Sequence, residues 1–396
     1  METALKSLKS TSVFPRMVEL RRTFHRNPEL AFEEKETAAT IIEELKRLDI
    51  PFDYKGVGSG VIGRIAGGNK NAPTIALRAE MDALPGNENT GLPFASQNPG
   101  KMHACGHDGH MAMLLGAAAL LKAEPPPGNV VLIFQPAEER GGGARVVISS
   151  GALEGVDAIF GGHITRHYHV GQIMVASGTI TAQSDGFTIK IKGKGGHGAR
   201  PHEAVDAVVV TGLLIMAVQT LVSREINPAY PSVVTIGKVE AGSAANVIAE
   251  EATLSGTIRT TNPAVRQHII QGLQRICNAV GDLHNAEVQV NIRTGYPPVV
   301  NTERETEIAR RAVVKILGEA GLAIMEHPSM GGEDFSYYLQ QIPGCYVRFG
   351  ACRPGCEQIP LHSPSFDFDE AVLQVGAAFF EQVAREAIAE YAKQRR

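Results

Sequence analysis

The chain has few cysteines, no long apolar run and little net charge, and each shortage argues against a class of protein. Five cysteines in 396 residues are too few, and odd in number, for a disulfide framework, which favours a reducing compartment such as the cytoplasm. The net charge is −4, without the basic runs that bind nucleic acid. No run approaches the roughly 18 to 20 consecutive apolar residues of a membrane span, and residues 1–19 show no secretory signal. We therefore expect neither a nucleic acid nor a membrane as partner.

The cysteines include one close pair, Cys352 and Cys356. This pair could form a disulfide or half of a zinc site. Because no second matched pair exists, two free thiols in a turn are the simpler interpretation.

Length and composition predict a globular protein of two domains. Apolar residues make up 43% and charged residues 20% of the chain, and 396 residues exceed one ordinary core. Helical periodicity covers residues 33–49, and residues 110–122 are nearly all apolar, as in a buried helix. Apolar runs at 74–77, 130–134 and 157–160 are typical of strands buried on both faces of a largely parallel sheet.

A polar cluster follows each of these apolar runs. In open α/β sheets, sites form beyond the carboxyl ends of the strands, so the clusters are expected to meet in one crevice. Their members are Arg78, Glu80 and Asp82, then Glu138 and Glu139, then His163.

The pattern changes near Thr181 to the order β-α-β-β-α-β, which is the ferredoxin-like split unit. Alternating strands and helices of the first type resume near Glu303, so this unit is predicted to be inserted. We expect a catalytic α/β domain of residues 1–181 and 294–396, with helices on both faces of a mixed, largely parallel sheet. Residues 182–293 are expected to form a smaller lid domain.

The run from Lys101 to His110 places a thiol and an imidazole two residues apart, at Cys105 and His107. Thiolate and neutral imidazole both bind zinc-like ions, and His163, His362 and a neighbouring Glu138–Glu139 pair add donors of the right kinds. Adjacent glutamates are more often solvated surface acids, but these follow a buried apolar run. Their spacing does not decide which one binds a metal and which one acts as a base.

Six motifs in order along the chain resemble those of the M20 metallopeptidases, and in particular the amidohydrolase branch that includes hippurate, N-acyl-amino-acid and auxin-conjugate hydrolases. The matches extend from about residue 20 to about residue 370, nearly the whole chain. The motifs are Leu77–Pro85, Met102–His110, Phe134–Glu139, Gly195–His202, Ala245–Ile248 and Gly331–Ser336.

The resemblance implies two divalent metal ions in the catalytic domain, with zinc, manganese, cobalt and nickel all suited to such donors. It makes Cys105 the bridging ligand and Glu138 the general base. The remaining ligands that it implies are His107, Glu139, His163 and His362.

Further roles follow from the resemblance. His197 would donate to the oxyanion across the interface of a homodimer formed by the lid domain, and Asn246 with Arg259 would hold the substrate carboxylate. Gly332 lies in a loop implied to line the site. Asp82 is expected to accept a hydrogen bond from His107 and fix its tautomer.

The resemblance implies an amidohydrolase that cleaves N-acyl amino acids with a free carboxylate, by attack of a metal-bridged hydroxide. A metallocarboxypeptidase or dipeptidase acting on short peptides is the alternative. A non-catalytic relative is the rival from another class, and the intact set of ligands and base argues against it. The chain departs from the family at Arg166, His167 and His169, which follow His163, and at Glu80, where aspartate is expected.

Overall fold

The computed structural model describes residues 13–68, 72–352 and 359–395, so the pairing of Cys352 with Cys356 lies outside the described residues. The helices are α1 (Val13–Arg26), α2 (Lys35–Arg47), α3 (His107–Ala123), α4 (Gly143–Ser149), α5 (Ala207–Thr220), α6 (Pro263–His284), α7 (Glu303–Leu317), α8 (Ser336–Leu339) and α9 (Val372–Gln394). Shorter helical turns lie at Pro201–Glu203, Leu221–Glu225 and Glu319–Gly321.

The strands are β1 (Phe52–Tyr54), β2 (Val61–Ile65), β3 (Thr74–Glu80), β4 (Leu84–Pro85), β5 (Lys101–Met102), β6 (Asn129–Gln135), β7 (Ala158–His169), β8 (Ile173–Met174), β9 (Gly178–Thr179), β10 (Gln183–Lys192), β11 (Gly196–His197), β12 (Ser232–Ala241), β13 (Val247–Ile248), β14 (Glu251–Thr260), β15 (Glu287–Thr294), β16 (Val300–Asn301), β17 (Leu322–Ala323) and β18 (Gly344–Cys352).

The chain forms two compact units. The first comprises residues up to 178, 300–326 and 334 onward, and the second comprises residues 179–299 and 327–333. The segment 327–333, which the sequence-based boundaries place in the catalytic domain, belongs to the second unit. Backbone hydrogen bonds explain this difference, because Ser329 N–H donates to the Ile180 carbonyl and Ala182 N–H donates to the Ser329 carbonyl.

The first unit is built on an eight-stranded mixed sheet in the order β1-β2-β6-β3-β7-β18-β8-β17. Strand β3 lies between β6 and β7 and is parallel to both. Successive residues of β3 point to opposite faces, and Ile75, Ala76, Leu77 and Arg78 are all fully buried. Both faces of this strand are therefore covered, and the predicted α/β class with a largely parallel central sheet is confirmed.

Three helices approach one another closely in this unit at Gly116 of α3. A Cβ atom there would lie 2.1 Å from Met17 Sδ of α1 and 3.1 Å from the Cβ of Ala377 of α9. The absence of a side chain therefore lets the buried helix α3 pack against both neighbours. Helix α3 begins at His107, three residues before the predicted start at His110.

The second unit is a four-stranded antiparallel sheet in the order β12-β14-β10-β15, with α5 and α6 connecting its strands in the predicted β-α-β-β-α-β sequence. Asn262 caps α6, since its side chain accepts hydrogen bonds from the backbone N–H groups of Ala264 and Val265. The ferredoxin-like topology is confirmed for this unit.

The segment Ala207–Glu225 of the second unit is long and apolar enough to cross a membrane by length and composition alone. One face of the segment is packed in the core of this unit, since Val210, Leu214, Val218 and Leu221 are fully buried, as in an amphipathic helix of a globular unit.

A buried arginine joins α1 to the start of α3. Arg21, which is 1% exposed, donates to Asp108 Oδ2 at 2.9 Å, to Asp367 Oδ1 at 2.8 Å and to Glu370 Oε1 at 3.2 Å. His25 Nδ1 lies 2.8 Å from the same Asp108 oxygen. Asp108 follows His107 directly, so this network fixes the first turn of the helix that carries a candidate ligand.

Replacement of this arginine by methionine (Arg21→Met) is expected to lower the free energy of unfolding by about 3–5 kcal/mol, because it removes the buried partner of Asp108, Asp367 and Glu370 and leaves Asp108 with His25 alone. The matched control is Arg22→Met. Arg22 is on the same helix but its side chain is 42% exposed, so its loss is expected to cost about 1 kcal/mol or less. Urea unfolding followed by circular dichroism measures both, and equal losses would contradict the assigned role of Arg21.

Candidate metal centre

The candidate centre lies at the ends of β3 and β6, beside the middle of the longer neighbouring strand β7. Because the three strands are adjacent and parallel, the residues that follow β3 and β6 reach the same edge of the sheet. His163 lies inside β7 and not after it, since this strand continues to His169. The apolar run 157–160 predicts only the first part of this strand.

Cys105 lies in the turn that leads into α3. Gly106 adopts φ 89° as the N-cap residue, a left-handed conformation suited to glycine, and this turn places His107 at the first position of the helix. The Cys105 Sγ atom lies 3.2 Å from His163 Nε2. Burial and the neighbouring Glu139 and Glu138 carboxylates raise the pKa of the Cys105 thiol well above its usual range, so its thiolate form requires a cation beside it.

The two imidazoles near Cys105 are oriented by backbone carbonyl groups. His163 Nδ1 lies 2.6 Å from the Ile164 carbonyl oxygen, and His107 Nδ1 lies 2.9 Å from the Asp82 carbonyl oxygen. A carbonyl can only accept, so both rings carry a proton on Nδ1, and Nε2 is the nitrogen that faces the other donors. His107 Nε2 is buried and has no hydrogen-bond partner among the described residues, which fits a metal ligand.

Asp82 lies beside His107 and contacts it through two oxygens. Its carbonyl oxygen is the closer acceptor for His107, whereas its carboxylate Oδ1 lies 3.3 Å from His107 Nδ1. The other carboxylate oxygen, Oδ2, accepts a hydrogen bond of 3.0 Å from the backbone N–H of Glu139. Asp82 therefore positions both His107 and Glu139.

The adjacent glutamates Glu138 and Glu139 face one site because the chain bends before them. Ala137 adopts φ 53°, an unusual conformation for a residue with a side chain, and its N–H donates to Glu34 Oε1 at 2.9 Å. An oxygen of Glu138, an oxygen of Glu139 and a ring nitrogen of His107 all lie within 4.8 Å of one another.

His362 reaches the centre from the loop before α9. It also adopts a positive φ, 66°, and its backbone N–H donates to the Ala104 carbonyl at 2.8 Å. Its Nε2 atom lies 3.2 Å from Glu139 Oε1, and the hydrogen bond to Glu139 raises the pKa of His362. Donor atoms of Cys105, Glu139 and His362 lie within 4.8 Å of one another.

Cys105 belongs to two of these donor groups. One joins it to His107 and His163, and the other joins it to Glu139 and His362. Sulfur, imidazole and carboxylate donors suit zinc-like ions. Cys105 is therefore the one donor that these two groups have in common.

The remaining predicted residues lie in the second unit, where they form two pairs. The loop of His197 meets that of Asn246, since Gly198 N–H donates to the Asn246 carbonyl at 2.9 Å. Ala199 N–H donates to His197 Nδ1 at 3.1 Å, which leaves the exposed Nε2 with the proton. Arg259 donates to the Met330 carbonyl at 3.1 Å, and a Cβ atom on Gly332 would lie 3.7 Å from Arg259 Nη1.

A family model described as peptidase family M20/M25/M40 matches residues 76–386. The chain belongs to this family. It is 40% identical to the N-acetyl-L-cysteine deacetylase of Bacillus subtilis, over 93% of this chain and 87% of the relative. Identity is also 40% to thermostable carboxypeptidase 2 of Saccharolobus solfataricus, over 91% of this chain and 92% of the relative.

A solved structure of the same family supports the fold. The Bacillus subtilis YXEP protein, described as a dinuclear metal binding peptidase from the M20 family, is 35% identical to this chain. It superimposes with a TM-score of 0.82 over 96% of this chain and 99% of that one. The M20 chain described here is therefore a hydrolase, and its donor groups are candidate metal ligands.

Sequence reasoning missed a buried shell of charges behind the M20 centre. Arg78 pairs with Glu80 and donates to Asp334 Oδ1 at 2.7 Å. Glu80 also accepts from His110 Nδ1 at 2.8 Å and from the Tyr346 hydroxyl at 3.0 Å. His110 Nε2 in turn accepts the N–H of Ile164. The motifs contain Glu80, His110 and Asp334, but nothing in their spacing indicates that they meet.

Substitution of the shared thiol is expected to change metal binding. Cys105→Ala should lose most of the metal retained by the wild type after reconstitution and dialysis, since it removes the donor common to both groups. Cys345→Ala is the matched control, because Cys345 is a fully buried thiol of β18 outside every donor group of the described residues. Elemental analysis per folded chain provides the measurement, and equal retention by both variants would exclude Cys105 as a ligand.

Proposed function

We propose that this M20 hydrolase is a dinuclear metal-dependent amidohydrolase that cleaves the amide bond of N-acyl amino acids with a free carboxylate. The observation that carries the proposal is the pair of donor groups that share Cys105. The similarity to a relative named N-acetyl-L-cysteine deacetylase supports the choice of bond and of substrate class.

The ligands that we assign to the metals are Cys105, His107, Glu139, His163 and His362. Zinc, manganese, cobalt and nickel ions all accept such donors, and availability often decides between them. Two bound divalent ions would supply an activated water molecule near neutral pH and polarise the amide carbonyl.

Glu138 is the residue that we assign to proton transfer. Glu139 is less suited to this role, because its backbone N–H donates to Asp82 and its carboxylate contacts the candidate ligand His362. Glu138 is 7% exposed and belongs to the donor group of His107 and not to the two that contain Cys105. Its carboxylate would take a proton from water and return it to the leaving amide nitrogen.

Residues of the second unit are assigned to the substrate. His197 keeps its proton on the exposed Nε2 because Nδ1 accepts a backbone N–H, so it can donate to a developing oxyanion. Arg259 and Asn246 would bind the free carboxylate, to which a guanidinium can donate two hydrogen bonds. Gly332 adjoins Arg259 and leaves room beside it.

Hydrolysis of short peptides from the C-terminal end is the second candidate. The similarity to a relative named thermostable carboxypeptidase 2 favours it, and the same machinery would serve, because a peptide bond beside a terminal carboxylate has the same chemistry. A reducing compartment such as the cytoplasm suits either activity, since Cys105, Cys277 and Cys345 are free thiols.

We also infer a homodimer formed through the second unit. The edge strand β12 and helix α5 expose apolar side chains, among which Met216 is 70% and Val209 50% exposed. Exposed apolar groups clustered on one unit are typical of an interface between proteins. The dimer would allow His197 of one chain to serve the metal centre of the other.

Replacement of the proposed base by its amide (Glu138→Gln) is expected to lower kcat by roughly 10²–10⁴-fold, the usual contribution of general acid–base catalysis, while metal content stays unchanged. The assay screens N-acetyl, N-benzoyl and indole-acetyl amino acids and dipeptides on protein reconstituted with defined metals. Glu154→Gln, at an exposed position, controls for the loss of a carboxylate. Unchanged turnover by the Glu138 variant would remove this residue from the mechanism.

Mixing two inactive variants tests the shared site. His197→Ala and Glu138→Gln chains, incubated together until subunits exchange, are expected to recover partial activity, because one site of each mixed dimer contains both residues. Native mass spectrometry measures the exchange. Mixed dimers without recovered activity would show that His197 does not act across the interface.

A further inference from the structure

Arg348 lies beside the candidate ligand His163. Strand β18 pairs in parallel with β7, with Arg348 in register with His163 and Gly350 with Thr165. Paired residues of neighbouring strands point to the same face of a sheet. The guanidinium group therefore projects from the face that carries the His163 imidazole.

The charge of Arg348 has no carboxylate partner. Its guanidinium carbon lies 5.3 Å from the centroid of the Tyr346 ring, and no ion pair involves it among the described residues. The fully buried arginines Arg21 and Arg78 of the same unit each have carboxylate partners. A partly buried cation without one is available for an anion from solution.

Strand β7 is distorted next to this arginine. Thr165 pairs with Gly350 and His169 pairs with Cys352, so four residue steps on β7 (165 to 169) face two on β18 (350 to 352). Such bulges redirect side chains and occur often beside active sites. A Cβ atom on Gly350 would lie 2.2 Å from the His169 carbonyl oxygen, so glycine is what makes room for the extra residues.

The bulge contains Arg166, His167 and His169. The His167 side chain reaches solvent, but partial desolvation of its ring and the charges of Arg166 and Arg348 lower its pKa. A neutral imidazole still donates one hydrogen bond. The bulge thus adds a second donor beside Arg348, whose charge acts on the His167 imidazole.

We propose that Arg348, assisted by His167, binds a second carboxylate of the substrate, distinct from its α-carboxylate. The substrate would then be a dianionic N-acyl amino acid. The second carboxylate would come either from a dicarboxylic acyl group or from an acidic amino-acid side chain. This inference rests on the proposed amidohydrolase function and narrows its substrate class.

The competing explanation is that Arg348 only packs over Tyr346, whose hydroxyl donates to Glu80. Loss of a packing residue would lower the rate for every substrate alike. Loss of an anion-binding residue would lower it selectively for substrates with the second carboxylate. The ratio of rates within a matched pair of substrates separates the two explanations.

The experiment uses metal-reconstituted wild type, Arg348→Met and Arg348→Lys, with Arg64→Met as the control for an exposed arginine on β2. One pair compares N-succinyl with N-butyryl derivatives of the amino acid that the N-acetyl screen prefers. The other compares N-acetyl-glutamate with N-acetyl-glutamine. Values of kcat and KM are determined for each substrate.

In one of the two pairs, the wild type is expected to have the higher kcat/KM for the substrate with the additional carboxylate. Arg348→Met is expected to lower this ratio of kcat/KM values by about tenfold or more, which is the contribution of a charged hydrogen bond. The change should appear mainly in KM. Arg348→Lys should retain part of the preference, because lysine keeps the positive charge. A preference in the succinyl–butyryl pair would assign the second carboxylate to the acyl group, and a preference in the glutamate–glutamine pair would assign it to the amino-acid side chain. The inference would be overturned if the wild type showed no preference in either pair, or if Arg348→Met lowered kcat/KM equally for both substrates of a pair. Either result would leave the proposed amidohydrolase function standing. Failure to hydrolyse any substrate would overturn both.

Discussion

The parallel pairing of β3 with β6 on one side and β7 on the other is the constraint on which the candidate metal centre depends. It brings Asp82, the Glu138–Glu139 pair and His163 to one edge of the sheet although they are distant in sequence. A shift of one residue in this register would turn His163 to the opposite face of the sheet. The burial of β3 on both faces makes such a shift costly.

A second layer of buried charge holds these strand ends in place. Asp334 accepts from Arg78 and from the side chain of Gln135 at 2.9 Å, so it joins β3 and β6 directly. Removal of one partner from such a network leaves a buried charge unpaired, at a cost of several kcal/mol. The donor groups of the centre are therefore attached to a framework that resists movement, which favours a fixed arrangement of ligands.

The sequence allowed prediction of the elements whose signals are local: buried apolar runs, the Asn262 cap and the split β-α-β-β-α-β order. The candidate ligands could be named because a family resemblance supplied them. Other features depend on contacts that no local pattern reports. Ala137 and His362 adopt a positive φ, which residues of these types rarely do and which no turn motif in the sequence indicates. Arg78 contacts Asp334, which is 256 residues away in the chain. The bulge in β7 is defined by its pairing with β18.

We propose that two metal ions share the sulfur of Cys105, and anomalous diffraction from crystals of the metal-loaded protein tests this proposal most directly. Two anomalous peaks are expected, both within bonding distance of Cys105 Sγ, one beside His163 and the other beside His362. A single peak, or peaks whose nearest protein atoms exclude Cys105, would contradict it.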